Sequence, residues 1–264
     1  MPALQSLRDA TDVLRTAPWL FAAGALAAFV STLDTAADSG LTALLDLFVG
    51  PFVTAGIVGV ALVSLRNDRP RASFLDRAQS NVLRVLAAYL LAGIASLLVL
   101  LVPGLLAWDA LKPALVTLVE GGTPAFGAGD VVVFALLAVV AFAVSLAFSL
   151  VAPAVVDGHG VFESLGESYS RVRSNLRAAL GFGLVDGVVK LVAVGPGLYV
   201  GLAGIIENPQ AAGSFGGTAL LLLFVGGTVA TTVGHVYATA FYERVGPAKR
   251  RPGRDRAARG TDGW

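Results

Sequence analysis

The chain has 264 residues, 56% hydrophobic and only 14% charged, with a formal net charge of +1 and a mean hydropathy of +0.76. A soluble domain carries about 25% charged residues, so most of this chain is not solvated by water. It contains no cysteine, which excludes disulfides, thiolate metal sites and cysteine nucleophiles, and its two histidines lie in separate segments, which speaks against a histidine metal site.

In chain order, the first segment places Leu4, Leu7, Thr11 and Leu14 at helical spacing, among Arg8, Asp9, Asp12 and Arg15. That is an amphipathic helix rather than the short basic start of a cleaved signal peptide, although Thr35-Ala36-Ala37 follows the first apolar run. Six apolar runs are then long enough to cross a hydrocarbon core of about 30 Å, which needs roughly 20 helical residues. They cover residues 18–35, 41–65, 82–102, 130–156, 176–194 and 218–242. The runs are continuously apolar and do not alternate, so they predict helices, not barrel strands. Residues 1–245 are therefore expected to form one six-helix membrane domain, an all-α polytopic bundle with interfacial amphipathic helices. Residues 246–264, with Pro247, Pro252 and six basic side chains, are expected to form a disordered basic tail.

Charge sets the expected orientation. Of nineteen basic residues, seventeen fall in segments on one side of such a bundle: at the N-terminus, after the second span, after the fourth and in the tail. Only Lys112 falls on the other side, with Asp34, Asp38, Asp109, Glu120, Asp130 and Glu207, and Lys190 falls inside a span. The expectation is a multi-pass protein of the cell membrane with both termini cytoplasmic. Its basic loops would face anionic lipid headgroups, at about 1 kcal/mol for each Lys or Arg near the surface. No specific nucleic-acid partner is expected, and a protein partner or homo-oligomer is left open.

A repeat runs through the chain. Ser80-Asn81 enters the third span as Ser174-Asn175 enters the fifth, and Pro103-Gly104-Leu105 closes the third as Pro196-Gly197-Leu198 closes the fifth, at offsets of 94 and 93. Copies beginning near Leu4, Ser73 and Phe162 each read as an amphipathic helix, a span out, a short loop and a span back. On this reading Pro103 and Pro196 end their helices at the outer face, and Gly50-Pro51 sits mid-span as a packing kink.

Charges inside a span need a reason, since each costs at least ~2.5–3.5 kcal/mol at the bilayer centre. Asp186 lies ten residues past Leu176, or roughly 15 Å at helical rise, and Lys190 follows one turn on along the same face. Gly183 and Gly187 share that face and read as a small-xxx-small pair for close helix packing. In the sixth span Thr228, Thr231, Thr232, His235 and Thr239 form a polar stripe. The depths predict Asp186 beside His235 or one of these threonines. The pairing serves either as a packing contact or as a path for a proton, ion or small solute. Asp46, near the outer end of the second span, is expected to be wet.

Phosphate-binding glycine loops, H-E-x-x-H and G-x-S-x-G are all missing. Asp157-Gly158 resembles the opening of a phospholipid-headgroup transferase motif, but Glu163 and Glu167 are the only acids nearby and their spacing is wrong for a two-metal site. No catalysis, cofactor or metal is expected. The stretch Val155-Val156-Asp157-Gly158, Ser164-Leu165, Ser168 and Val172-Arg173-Ser174-Asn175-Leu176 resembles uncharacterised six-span membrane-protein families of halophilic archaea. Those families are related to the membrane domain attached to some glycerophosphodiester phosphodiesterases. Ala10 to Pro18 and Ala240-Phe241-Tyr242 also look like that group. The resemblance implies a six-helix domain of unknown function, transfers no catalytic residue and comes without the soluble phosphodiesterase domain. Two functions follow as expectations. The first is a structural or accessory membrane protein that binds lipid or a partner at its cytoplasmic face. The alternative is a small-solute or ion transporter using Asp186, Lys190 and His235.

Overall fold

Every regular element in the computed structural model is a helix, across the described residues 2–37, 40–67, 73–119, 127–207 and 216–246. The expected tail beyond Gly246, Arg69, Arg71, Asp38 and Glu120 lie outside these residues. Helix α1 (Pro2–Thr16) is amphipathic, and it buries Ala3, Ser6, Ala10 and Val13. The buried face is thus one residue out of step with the leucine stripe expected from the sequence. Small side chains let α1 lie close to its neighbours, while Leu7 and Leu14 flank the contact and Leu4 points outward. Pro18 follows, and a residue before proline is pushed out of the helical region. The chain turns there by 98° into α2 (Leu20–Ala37).

Helix α3 (Gly40–Asn67) carries Pro51 inside it. Helix α4 (Phe74–Val119) is a single 46-residue helix through both Pro103 and Pro113. Helix α8 (Leu176–Glu207) likewise runs through Pro196. The prolines therefore do not end their helices. Each removes one N–H donor, whereas breaking the helix in hydrocarbon would leave several backbone groups unsatisfied, so continuing is the cheaper course. The repeat is altered in the same way. Separate amphipathic helices precede α2 and α8, but residues 74–81 are simply the first turns of α4, with no break at Ser80-Asn81.

Helix α5 (Ala128–Phe148) starts where the Gly127 N–H donates to the Asp130 carboxylate at 2.8 Å. After a break at Ser149-Leu150 come the short α6 (Val151–Val156) and α7 (Val161–Ser174). Gly158 between them has φ 106°, a left-handed backbone that a side chain would strain. Helix α9 (Gly217–Val245) closes the fold. Five stretches are long and apolar enough to cross a membrane: α3, α4, α5 with α6, α8 and α9. The bent pair α1 and α2, counted as one span, brings the number to as many as six, and the 18 residues of α2 cover about 27 Å. The chain is a multi-pass membrane protein.

Helix α9 is the hub, packing on α8, α2, α1 and α3. Its last turns, Val236 to Tyr242, are buried, and Phe182 of α8 stacks on Phe241 with centroids 4.6 Å apart. Of the expected glycine pair only Gly183 makes a close approach, and other glycines make closer ones. A Cβ on Gly226 would lie 2.0 Å from the Ala193 carbonyl oxygen, and one on Gly24 would lie 1.9 Å from Thr232 Oγ1. Arg244 pairs with Asp9, so both ends of the described chain meet at one face, called here the terminal face.

Candidate functional site

Away from the terminal face the helices border an open cavity of about 1270 Å³. Helix α9 borders it from Leu223 to Ala238 and α8 from Phe182 to Leu198. Asp186 and Lys190 stand on its α8 wall, with Lys190 Nζ donating to Asp186 Oδ2 at 2.6 Å. Gly234 of α9 lies against the pair: a Cβ there would be in ordinary contact, 3.5 Å from Asp186 Oδ1 and 3.7 Å from Lys190 Cε. The next residue, His235, turns the other way and sets Nε2 3.0 Å from Thr54 Oγ1 on α3. Tyr89 of α4 also reaches Thr54 for hydrogen bonding.

Asp186 and His235 thus border one cavity but take different hydrogen-bond partners, one on its own helix and one across on α3. Asp186 was expected beside His235 or a threonine of the stripe, and His235 and Thr231 both border its cavity. The hydrogen bonds of Asp186 and His235 run instead to Lys190 and Thr54, because adjacent positions on α9 face α8 and α3 respectively. The threonine stripe divides for the same reason. Thr231 borders the cavity. Thr228, Thr232 and Thr239 donate to the carbonyls of Phe224, Thr228 and His235 four residues earlier, at 2.7–2.8 Å. Thr232 and Thr239 are buried, with Thr232 against Gly24 of α2. The glycine pair divides too. Gly183 receives Phe142 and Leu146 of α5, whereas Gly187 has nothing within 4 Å of where a Cβ would stand and opens onto the cavity. Asp46 borders the cavity as well.

Thr54, Tyr89, Ser145 and Ser149 escaped the sequence reading. Only Thr54 had a signal, a hydroxyl three residues after a mid-span proline. Among the described residues no three of His, Cys, Asp or Glu converge as a metal site would need.

At the terminal face the bundle is shut by a polar lock. Asp157, at the end of α6, receives Arg66 of α3 at 2.7 Å and the Tyr242 hydroxyl of α9 at 3.1 Å. Arg66 also pairs with Glu243. Arg171 of α7 is buried, donates to the Tyr242 carbonyl at 2.7 Å, holds Glu167 at 2.5 Å and lies 3.6 Å above the Tyr242 ring. The Ser168 hydroxyl donates to the Ala147 carbonyl at 2.6 Å and accepts from the Leu150 N–H, mending the break between α5 and α6. The stretch from Val155 to Asn175 therefore does structural work, closing the bundle below the cavity.

The family model described as Domain of unknown function (DUF7847) matches residues 1–245. The chain belongs to this family. The matched region takes in the candidate spanning helices and the residues of both the cavity and the lock. No curated protein matches the chain, and no solved structure does.

Proposed function

We propose that this member of the family is a membrane-embedded carrier whose ligand occupies the cavity beside Asp186, Lys190 and His235. The observation that carries the reading is the volume itself, about 1270 Å³ bordered by the Asp186–Lys190 pair within α8. Ligand pockets usually measure about 300–1,000 Å³ and pair apolar walls with a few placed polar groups. Ionisable groups within spans are costly and mark pathways or binding sites when they face an interior space. Asp186 is held by Lys190, and the pair borders the cavity. The reading assigns no catalytic step.

The test is reconstitution of the full chain in liposomes, following a soluble zwitterion (glycine betaine) and a lipid counterpart (fluorescent phosphatidylcholine). Wild type is expected to move one of them and Asp186→Asn to lose that movement. Background-level transfer of both by wild type and variant alike would remove the carrier reading.

We propose further that the protein resides in the cell membrane with both termini cytoplasmic. The support is the gathering of basic residues on the segments that meet at the terminal face. The cavity then faces away from the cytoplasm, above the Arg66–Asp157 lock. A second role for the cytoplasmic face rests on its own observation: Leu4, Leu75, Phe162 and Tyr169 are exposed apolar side chains, with Phe162 at 77%. With Arg173 and Arg177 beside them they suit anchorage against anionic headgroups. The Val155–Asn175 stretch also supports kinship with the membrane domain of some glycerophosphodiester phosphodiesterases and with proteins of halophilic archaea.

A further inference from the structure

The cavity's border is uneven. Helix α8 lines it from Phe182 to Leu198, but α5 contributes only its end, Ser145 and Phe148, with Ser149 just beyond. The two helices touch at Gly183, where a Cβ would stand 2.9 Å from Phe142 and 3.0 Å from Leu146. One turn on, Gly187 meets nothing within 4 Å. The seam between α5 and α8 is therefore shut at Gly183 and parted beyond it. Leu90, Leu191 and Leu198 both border the cavity and are exposed, Leu191 by 70%. A gap between two spanning helices opens onto hydrocarbon. A leucine rim there favours an acyl chain and disfavours a hydrated solute.

The polar groups lie deeper. Asp186 and Lys190 offer opposite charges one turn apart, and Lys190 is half exposed at the gap. Tyr89, Phe148 and Phe182 supply aromatic surface within the same cavity, which suits an ammonium group. Along α9 the cavity runs from Leu223 to Ala238, about 22 Å at helical rise, so it is long as well as wide. We infer that the cavity takes a lipid with a zwitterionic headgroup. It enters sideways between α5 and α8 and sets its phosphate on Lys190 and its ammonium on Asp186. The inference rests on the cavity being the ligand site and names what fills it.

The chain has no native cysteine, so a nitroxide can be placed on Thr231→Cys at the cavity wall without other changes. In vesicles of phosphatidylcholine, the expected result is strong relaxation by oxygen and little by a water-soluble nickel chelate. Strong relaxation by nickel would mean a water-filled cavity, which overturns the lipid inference and leaves the carrier reading standing. Weak relaxation by both would mean a packed interior, which removes both readings. In parallel, the full chain is released for native mass spectrometry from nanodiscs of equal parts phosphatidylcholine and phosphatidylglycerol. Wild type is expected to retain phosphatidylcholine at least about tenfold over phosphatidylglycerol, and Gly187→Trp, which fills the gap, to lose about tenfold of that retention. A preference for phosphatidylglycerol, or equal retention by wild type and Gly187→Trp, would also overturn it.

Discussion

Arg66 and Asp157 stand 2.7 Å apart at the terminal face, and the Asp157 side chain is only 2% exposed. Their pairing joins α3 to the end of α6, and the Tyr242 hydroxyl brings in α9. A carboxylate this deep is tolerated because a cation and a hydroxyl answer it. Removing one partner of a buried pair costs about 3–5 kcal/mol when the other is left uncompensated. Glu243 remains for Arg66, so Asp157→Asn is expected to cost less, about 2 kcal/mol. Thermal unfolding of the purified protein in detergent measures this. An Asp157→Asn protein with the wild-type Tm would mean the lock contributes nothing.

Two glycines on facing helices should respond to a methyl group in opposite ways. At Gly226 a Cβ would fall 2.0 Å from the Ala193 carbonyl oxygen, which is backbone and cannot step aside without moving α8 from α9. Gly226→Ala is expected to destabilise by about 1–3 kcal/mol, as overpacking does. At Gly187 nothing lies within 4 Å, so Gly187→Ala meets no obstacle and gains up to about 1 kcal/mol of helix propensity. The order of the two Tm values is the measurement. Gly226→Ala at or above Gly187→Ala would contradict the packing.

The hydrogen bond from His235 to Thr54 is testable by shape. Thr54→Val keeps the branched side chain and removes the hydroxyl, leaving the ring without its 3.0 Å partner. Thr54→Ser keeps the hydroxyl. The hydroxyl also serves Tyr89, so the valine variant, which leaves buried partners unsatisfied, is expected to lose about 1–3 kcal/mol of stability, and the serine variant much less. Equal losses would mean that the methyl, not the hydroxyl, is what α3 needs there.

Sequence periodicity located the spanning segments because continuous apolar length is a local property: four of the six predicted runs lie within single helices, the run from 18 starts two residues before α2, and the run 130–156 crosses the break between α5 and α6. The pairing of Asp186 with Lys190 was legible for the same reason, since an i,i+4 pair needs only its own helix. Contacts between helices were not. Nothing in the spacing of Thr228 to Thr239 says that residue 234 faces α8 while 235 faces α3, because the rotation of α9 is set by its neighbours. The continuity of α4 past Pro103 was also hidden. Proline and glycine end helices in water, where freed carbonyls find solvent, and that outlet is missing in hydrocarbon. Asp157 drew attention as a fragment of an enzyme motif. Its actual partners, Arg66 and Tyr242, lie far away in sequence.

The division of the threonine stripe gives a further test at adjacent positions. Thr231 borders the cavity, whereas Thr232 is buried with its hydroxyl 1.9 Å from the place a Gly24 Cβ would occupy. Because the chain has no native cysteine, each position can carry a lone thiol. N-Ethylmaleimide, small enough to pass through water or lipid, is expected to label Thr231→Cys at least about tenfold faster than Thr232→Cys, since a closed helix contact must open locally before reagent arrives. The sulfur of Thr232→Cys fits where the hydroxyl stood, so the fold can be checked by its Tm before labelling. Equal rates at the two positions would mean that α9 is rotated from the orientation described, and with it would go the placement of Asp186 beside Gly234.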